Sequence, residues 1–305
     1  MNDAVKKLKK LHAKRIFVQF PEGLKMKIQE IAKELEKKGF EVILSLESTW
    51  GGCDIREHEA KLLRCDAILH IAHEDYGIKT KIPVVYWEYF FDVNPVPVLE
   101  KDFDKLKDFQ KIGIVTSLQY VKTIPKVKDF LEKRGKKVFV NKSLKHPGQV
   151  LGCNLSAGIK LEKKVDCFLC ISAGKFYSLG LIFKTGKPTF NLDLENQQIY
   201  QLDDLKMKIL KIIEWNKSEL KDAKRIGLLV SWKKGQMFGD PFKMKKQLEK
   251  QGKEVYILAM DELSKSKIEG LKLDFLINFS CPRIGTDDLE KFSKPILNWN
   301  DVPLK

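Results

Sequence analysis

Apolar positions along this chain fall into short blocks that recur three times in the same order. After a charged amphipathic helix at the start, the run Lys14-Arg15-Ile16-Phe17-Val18-Gln19-Phe20 has the length and composition of a strand. Pro21-Glu22-Gly23-Leu24 reads as a turn. Ile28, Ile31, Ala32 and Leu35 then recur at three- and four-residue spacing and predict a helix from Ile28 to Lys38. Gly39 closes that helix, and Phe40-Glu41-Val42-Ile43-Leu44 predicts a second strand. The series returns as Lys111–Val115, a helix from Val127 to Arg134, Gly135 and Lys137–Val140. It returns again as Lys224–Val230, a helix from Phe242 to Gln251, Gly252 and Val255–Leu258. From Ile16 to Gly39, Ile112 to Gly135 and Ile226 to Gly252 the offsets are 23, 23 and 26 residues.

The second half of each block recurs too. An aspartate introduces a third apolar strand at Asp66–Ile71, Asp166–Ile171 and Asp274–Phe279. A proline opens a fourth at Pro83–Trp87, Pro188–Leu192 and Pro295–Trp299. Near-continuous apolar strands alternating with amphipathic helices predict parallel sheets covered on both faces. The expected fold class is α/β, with three Rossmann-like units spanning residues 1–105, 106–220 and 221–305. In such sheets ligands sit off the carboxyl ends of the strands. Cys53 and Cys153 lie in loops beyond second strands, and Cys281 directly follows a third strand, so each is on the ligand side of its unit. Packing of the units about a pseudo-threefold axis would bring the three thiols to one centre.

With 305 residues the chain is long enough to bury several cores. No apolar run approaches the roughly 20 residues a membrane helix needs. The charged start Met1-Asn2-Asp3-Ala4-Val5-Lys6-Lys7 is unlike an export signal, so the expectation is a cytoplasmic protein with reduced thiols. A net charge of +15 suits an anionic partner such as an acidic protein or nucleic acid. The lysines are spread along the whole chain, so a solvated surface explains them equally well.

Three thiolates from separate segments fit a 4Fe–4S cluster, which usually takes four and would here keep one iron open. Zinc is the competing metal, although its sites usually draw on closely spaced ligand pairs. Cys167 and Cys170 match a CxxC spacing but fall within one predicted strand, where residues three apart face opposite ways. Cys65 reads as a core residue. The CxxxCxxC pattern of ordinary radical S-adenosylmethionine enzymes is absent from the sequence. His70 reads as a core histidine and His73 as a site candidate. Lys233-Lys234-Gly235-Gln236 follows the first strand of the third unit, where backbone amides, Lys234 and the Gln236 amide can hold a ligand carboxylate. Arg283 is placed to pair with the same carboxylate or with cluster charge.

Six segments follow one another over nearly the whole chain: Val18-Gln19-Phe20-Pro21-Glu22-Gly23-Leu24, Gly52-Cys53-Asp54, His70 with His73, Val150-Leu151-Gly152-Cys153-Asn154, Lys234-Gly235-Gln236 and Cys281-Pro282-Arg283-Ile284. In that order they resemble the archaeal 2-(3-amino-3-carboxypropyl)histidine synthase family, which performs the first step of diphthamide formation. The resemblance implies a 4Fe–4S cluster held by Cys53, Cys153 and Cys281, one from each domain, and S-adenosylmethionine as the second cofactor. It implies one-electron cleavage of the bond from sulfur to the methionine γ-carbon, giving methylthioadenosine and a 3-amino-3-carboxypropyl radical. That radical would add to C2 of a histidine on translation elongation factor 2. A homodimer and a separate electron donor are implied as well, with no need for a membrane or for direct nucleic-acid contact. No further catalytic residue is singled out.

Three positions depart from the family pattern. Gln119-Tyr120 and Phe176-Tyr177 stand where Gln-His and Phe-His are expected, and Gly51-Gly52-Cys53-Asp54 stands where Gly-Ala-Cys-Asp is more usual. The tyrosines keep open a non-catalytic, cluster-binding partner subunit. Quinolinate synthase, which also resembles three such units around three cysteines, is a second enzyme reading. A zinc-structured binding module is the third.

Overall fold

The computed structural model describes residues 1–303 and contains the three repeated sheets that the apolar pattern predicts. The first is built from β1 (Arg15–Gln19), β2 (Glu41–Leu44), β3 (Ala67–Ile71) and β4 (Val84–Trp87), in the order β2-β1-β3-β4. The second contains β5 (Lys111–Thr116), β6 (Lys137–Phe139), β7 (Cys167–Ile171), β8 (Thr189–Asp193) and β9 (Gln198–Gln201), in the order β6-β5-β7-β8-β9. The third contains β10 (Arg225–Ser231), β11 (Glu254–Met260), β12 (Phe275–Asn278) and β13 (Ile296–Asn298), in the order β11-β10-β12-β13. Every pairing is parallel except that of β9 with β8, a hairpin addition the sequence did not announce. The predicted helices form at Ile28–Lys37, Ile124–Glu132 and Pro241–Lys250. Gly39, Gly135 and Gly252 follow them with φ of +93°, +78° and +79°, the left-handed turn that a side chain opposes.

The structure also explains the repeated aspartate ahead of each third strand. The Asp66 carboxylate accepts the backbone N–H groups of Lys14 and Arg15, both at 2.8 Å. Asp166 accepts those of Gln110 and Lys111 at 3.1 and 2.7 Å, and Asp274 those of Lys224 and Arg225 at 3.2 and 2.8 Å. Each carboxylate thus pins the start of a first strand to the start of the third strand beside it. The Arg225 guanidinium and these N–H groups hold Asp274 well below the usual carboxylate range, and the Arg15 and Lys14 amides do the same for Asp66. A depressed carboxylate stabilises the fold above its ordinary titration range and loses that contribution as pH falls through it. Replacing Asp66 by alanine should cost roughly 1–2 kcal/mol, the scale of charge-assisted hydrogen bonds at a partly solvated site. Chemical denaturation of the variant at neutral pH measures this, and an unchanged midpoint would remove the clamp from the fold's stabilising contacts.

The chain divides into two compact units: Met1–Phe90 with Lys233–Gly235, and Phe91–Trp232 with Gln236–Lys305. The first unit has its main core around Leu8, Ile16, Val18, Leu35 and Leu69. In the second, Ile112, Ile114 and Leu169 centre one face of the middle sheet. Leu179, Ile182, Ile209 and Ile213, from the helices Phe176–Thr185 and Asp203–Asp222, share a core with Ile226, Leu228 and Ile277 of the third sheet. That shared apolar layer is why the middle and third sheets behave as one body. Among the described residues no helix is long and apolar enough to cross a membrane.

Candidate functional site

Each of the three loop cysteines is reached through a different local device. In the first unit, Gln19 ends β1 fully buried. Its Nε2 donates to the Asp54 carbonyl at 3.1 Å, and its Oε1 accepts the Arg56 N–H at 3.0 Å. The Asp54 carboxylate is itself buried, accepts the Trp50 N–H and forms a 2.7 Å ion pair with Lys233. Cys53, half-buried, is therefore held between two anchored residues. Gly52 gives the loop room, because a Cβ there would strike the Glu74 carbonyl. Gly235 comes so near that a Cβ would lie 2.6 Å from the Cys53 Cβ and 2.5 Å from its carbonyl oxygen. Lys234 reaches the Glu57 carboxylate at 2.5 Å and the Lys79 carbonyl at 3.4 Å.

Beside this loop lies an aromatic group in which His70 is buried and His73 and Tyr86 are partly buried. His70 stacks on Tyr86 with ring centroids 5.3 Å apart, and His73 meets His70 edge-on at 5.2 Å. Neither ring nitrogen of His70 completes a hydrogen bond, and the His73 Nδ1 and the Tyr86 hydroxyl are likewise buried without one among the described residues. Burial lowers His70 to about 4, with the Asp54 and Gly51 backbone only partly opposing it. Burial, with His70 alongside, lowers His73 to about 3. Both imidazoles are thus neutral at physiological pH. A histidine whose value falls on folding stabilises the protein above its unfolded value of about 6.5, and that contribution is lost as pH falls toward the folded value. Stability should therefore drop by on the order of 2 kcal/mol between pH 7 and pH 5. Urea denaturation of His70→Gln should show a smaller drop over that interval; an identical one would remove His70 as its source.

In the second unit, the segment Gly148–Val150 extends the end of β5: the Thr116 N–H donates to the Gly148 carbonyl at 2.8 Å, and the Val150 N–H to the Thr116 carbonyl at 2.9 Å. A turn closed between Leu151 and Asn154 follows and presents Cys153 at an exposed tip. Cys281 sits in a loop held by two buried asparagines that face each other at the ends of β12 and β13. Asn278 Nδ2 donates to the Cys281 carbonyl at 2.9 Å and to Asn298 Oδ1 at 2.8 Å, and Asn298 Nδ2 donates to the Pro282 carbonyl at 2.9 Å. Burial raises the Cys281 thiol; the Arg283 N–H and guanidinium oppose this, and the nearby Cys153 adds to it. Cys153 and Cys281 therefore lie within reach of each other's charge.

The other cysteines lie where the sequence puts them. Cys167 and Cys170 are fully buried in β7, one in each of two separate cores, and burial pushes both to about 12. Cys65 is buried with Phe17 and Ile68. Gln236 is buried, whereas Arg283 packs on Phe176 and pairs with Asp287. Tyr120 is buried against Phe91 and donates to Glu195 at 3.3 Å; burial and that carboxylate raise it far above neutral pH. Tyr177 is pushed to about 12 by burial, so neither tyrosine titrates where a histidine would. No group of three or more metal-ligating side chains gathers within either unit among the described residues; the first offers one loop cysteine and the second a neighbouring pair. A surface hollow of about 460 Å³ lined by Arg225, Ile268–Asp274, Ser293 and Lys294 lies at the opposite edge of the third sheet, where strands begin, away from this chemistry.

Sequence reasoning passed over Gln19, Asn278 and Asn298. Their signal was a side-chain amide ending an otherwise apolar strand.

Likeness to known proteins bears on this arrangement. The diphthamide synthesis protein family matches residues 20–303. The 2-(3-amino-3-carboxypropyl)histidine synthase of Pyrococcus horikoshii is 32% identical over 309 residues, covering 99% of this chain and 89% of that protein. The synthase of Methanocaldococcus jannaschii is 28% identical, covering 98% and 86%. Among solved structures, Dph2 from Pyrococcus horikoshii with a 4Fe–4S cluster superposes with a TM-score of 0.85 at 31% identity, over 98% of this chain and 88% of that one. A match of this extent decides the family: the chain belongs to the diphthamide synthesis proteins.

Proposed function

We propose that this chain is a 2-(3-amino-3-carboxypropyl)histidine synthase, transferring the aminocarboxypropyl group of S-adenosylmethionine to C2 of a histidine on translation elongation factor 2. The observation that carries this reading is the placement of three loop cysteines off the carboxyl ends of repeated parallel sheets, in a chain matching the synthases almost end to end. Cys53, Cys153 and Cys281 are proposed as the ligands of a 4Fe–4S cluster. The donor set fits: three thiols on loops after strands, the Cys53 and Cys281 loops fixed by buried amides and a buried ion pair and the Cys153 loop by a backbone turn. When bound, such a cluster with an open iron supplies the electron that cleaves the sulfonium of S-adenosylmethionine.

The protein's own part is to bind, orient and exclude water. Gln236, Lys234, Arg283 and His73 are proposed on the cofactor side of the cysteines. Gln236 is buried and carries an amide suited to a carboxylate or an amine. Neutral His73 and His70 add polar surface without adding charge. The finer assignments belong to the same proposal: a homodimer in the cytoplasm, an external one-electron donor, and docking of the elongation factor aided by the +15 net charge.

Anaerobic reconstitution with iron and sulfide, reduction by dithionite and addition of S-adenosylmethionine should yield methylthioadenosine. Archaeal elongation factor 2 added to the reaction should gain the mass of one aminocarboxypropyl group. A loaded cluster without either product would favour the partner-subunit or quinolinate reading, and failure to bind iron would overturn the cluster assignment.

A further inference from the structure

Arg283, Phe176 and Gly152 form a chain of contacts that joins the two cysteine loops of the second unit. The Arg283 guanidinium lies over the Phe176 ring, 4.3 Å from its centroid, and donates through Nη2 to the Phe176 carbonyl and, at 2.6 Å, to the Asp287 carboxylate. On the other side, the Phe176 ring covers Gly152 so closely that any Cβ at 152 would collide with it. Gly180, on the helix that Phe176 opens, leaves the space that the Arg283 Nη1 occupies. The guanidinium side chain is 12% exposed, although Phe176 itself is 37% exposed. Gly152 immediately precedes Cys153, and Arg283 lies two residues beyond Cys281.

We infer that Arg283 is a positioning residue: clamped by Asp287 and stacked on Phe176, it holds the Cys153 loop against the Cys281 loop. The inference deepens the proposed function, on which its link to a cluster rests. Arg283 is suited to this because a planar guanidinium can stack on a ring, bond a carbonyl and pair with a carboxylate at once, which an ammonium cannot do. Its fork is directed at Phe176 and Asp287, so what it does for the two cysteine loops is geometric. The two glycines acquire a reason as well: each is a gap into which one member of the clasp fits.

The test reads the apo protein first. In the full chain carrying Cys53→Ser, dibromobimane, which becomes fluorescent when it bridges two neighbouring thiols, should cross-link Cys153 to Cys281; Cys65, Cys167 and Cys170 are buried away from it. Arg283→Lys should lower the cross-linking yield several-fold while the unfolding temperature stays close to that of the parent. Gly152→Ala, which breaks the clasp from its other end on an exposed loop, should do the same. In the chain with all three cysteines, reconstituted with iron and sulfide, Arg283→Lys should lower iron content and alter the spin-resonance line shape of the reduced cluster. Undiminished cross-linking in both variants would overturn the inference. So would losses that only track a fall in unfolding temperature, because they would mark Arg283 as a fold-stabilising residue alone. If the parent cross-links yet never takes up iron, the proposed function fails while the clasp stands.

Discussion

Replacing Cys53, Cys153 or Cys281 by alanine should abolish formation of the proposed 4Fe–4S cluster, whereas Cys167→Ala should leave it intact. This is the expected result of anaerobic reconstitution followed by iron and sulfide analysis and visible absorbance. The size of the effect follows from ligand number. Three protein thiolates already leave one iron without a cysteine, and removing another leaves two irons exposed to water and to loss. Cys167 differs because its thiol is buried in a strand core and raised to about 12, which denies it both the thiolate form and access to metal. Full iron content in all three single variants would sink the ligand assignment. Loss in one alone would narrow it.

The largest expected effect on stability belongs to Lys233. Its ammonium and the Asp54 carboxylate are 5% and 1% exposed and 2.7 Å apart, so each is the other's compensation for leaving water. Lys233→Met strands the Asp54 charge in the interior, and breaking such a pair from one side costs about 3–5 kcal/mol. The double variant Lys233→Met with Asp54→Asn should recover much of that loss, because it removes both charges together. Urea midpoints of the two single variants and the double give the coupling directly. A Lys233→Met penalty within about 1 kcal/mol would place this pair with weak, surface-like bridges. The effect should also reach the Cys53 loop, since Asp54 adjoins Cys53 and the Trp50 N–H bonds the same carboxylate.

How much of this could be read beforehand differs between backbone and site. Parallel sheets, helices and capping glycines were legible because each leaves a periodic or single-residue mark: continuous apolar strands, three- and four-residue spacing, a glycine at a positive φ. The repeated aspartates were visible as a pattern, but their purpose was not, since accepting two N–H groups from a strand some fifty residues away is a tertiary fact. β9 was missed because Gln198-Ile199-Tyr200-Gln201 carries one fully buried apolar residue and is brought back by a turn in which Asp193 accepts the N–H groups of Glu195 and Asn196. At the site, the loop cysteines stood out through their position after strands and, for Cys53 and Cys153, through the glycine before each. The residues that hold those loops did not. Gln19, Asn278 and Asn298 look like polar interruptions of apolar strands, and only the folded chain shows each amide turned toward a cysteine loop. The tyrosines at 120 and 177 were legible as departures, and the structure adds that Tyr120 is buried, Tyr177 partly buried, and both neutral.

Gly235 lies 2.6 Å, measured from where its Cβ would be, from the Cβ of a residue 182 positions earlier in the chain. The two positions therefore cannot drift separately over evolutionary time. A side chain gained at 235 is admissible only after the backbone at 53 has moved aside, and such a move displaces the cysteine itself. A recombined protein that takes its first ninety residues from one relative and the remainder from another thus inherits a fit at this contact that neither parent selected for the other. Chimeras crossing between positions 53 and 235 should fail more often than those whose exchanged segment carries both, and the failures should be relieved by changes in the few residues flanking Cys53.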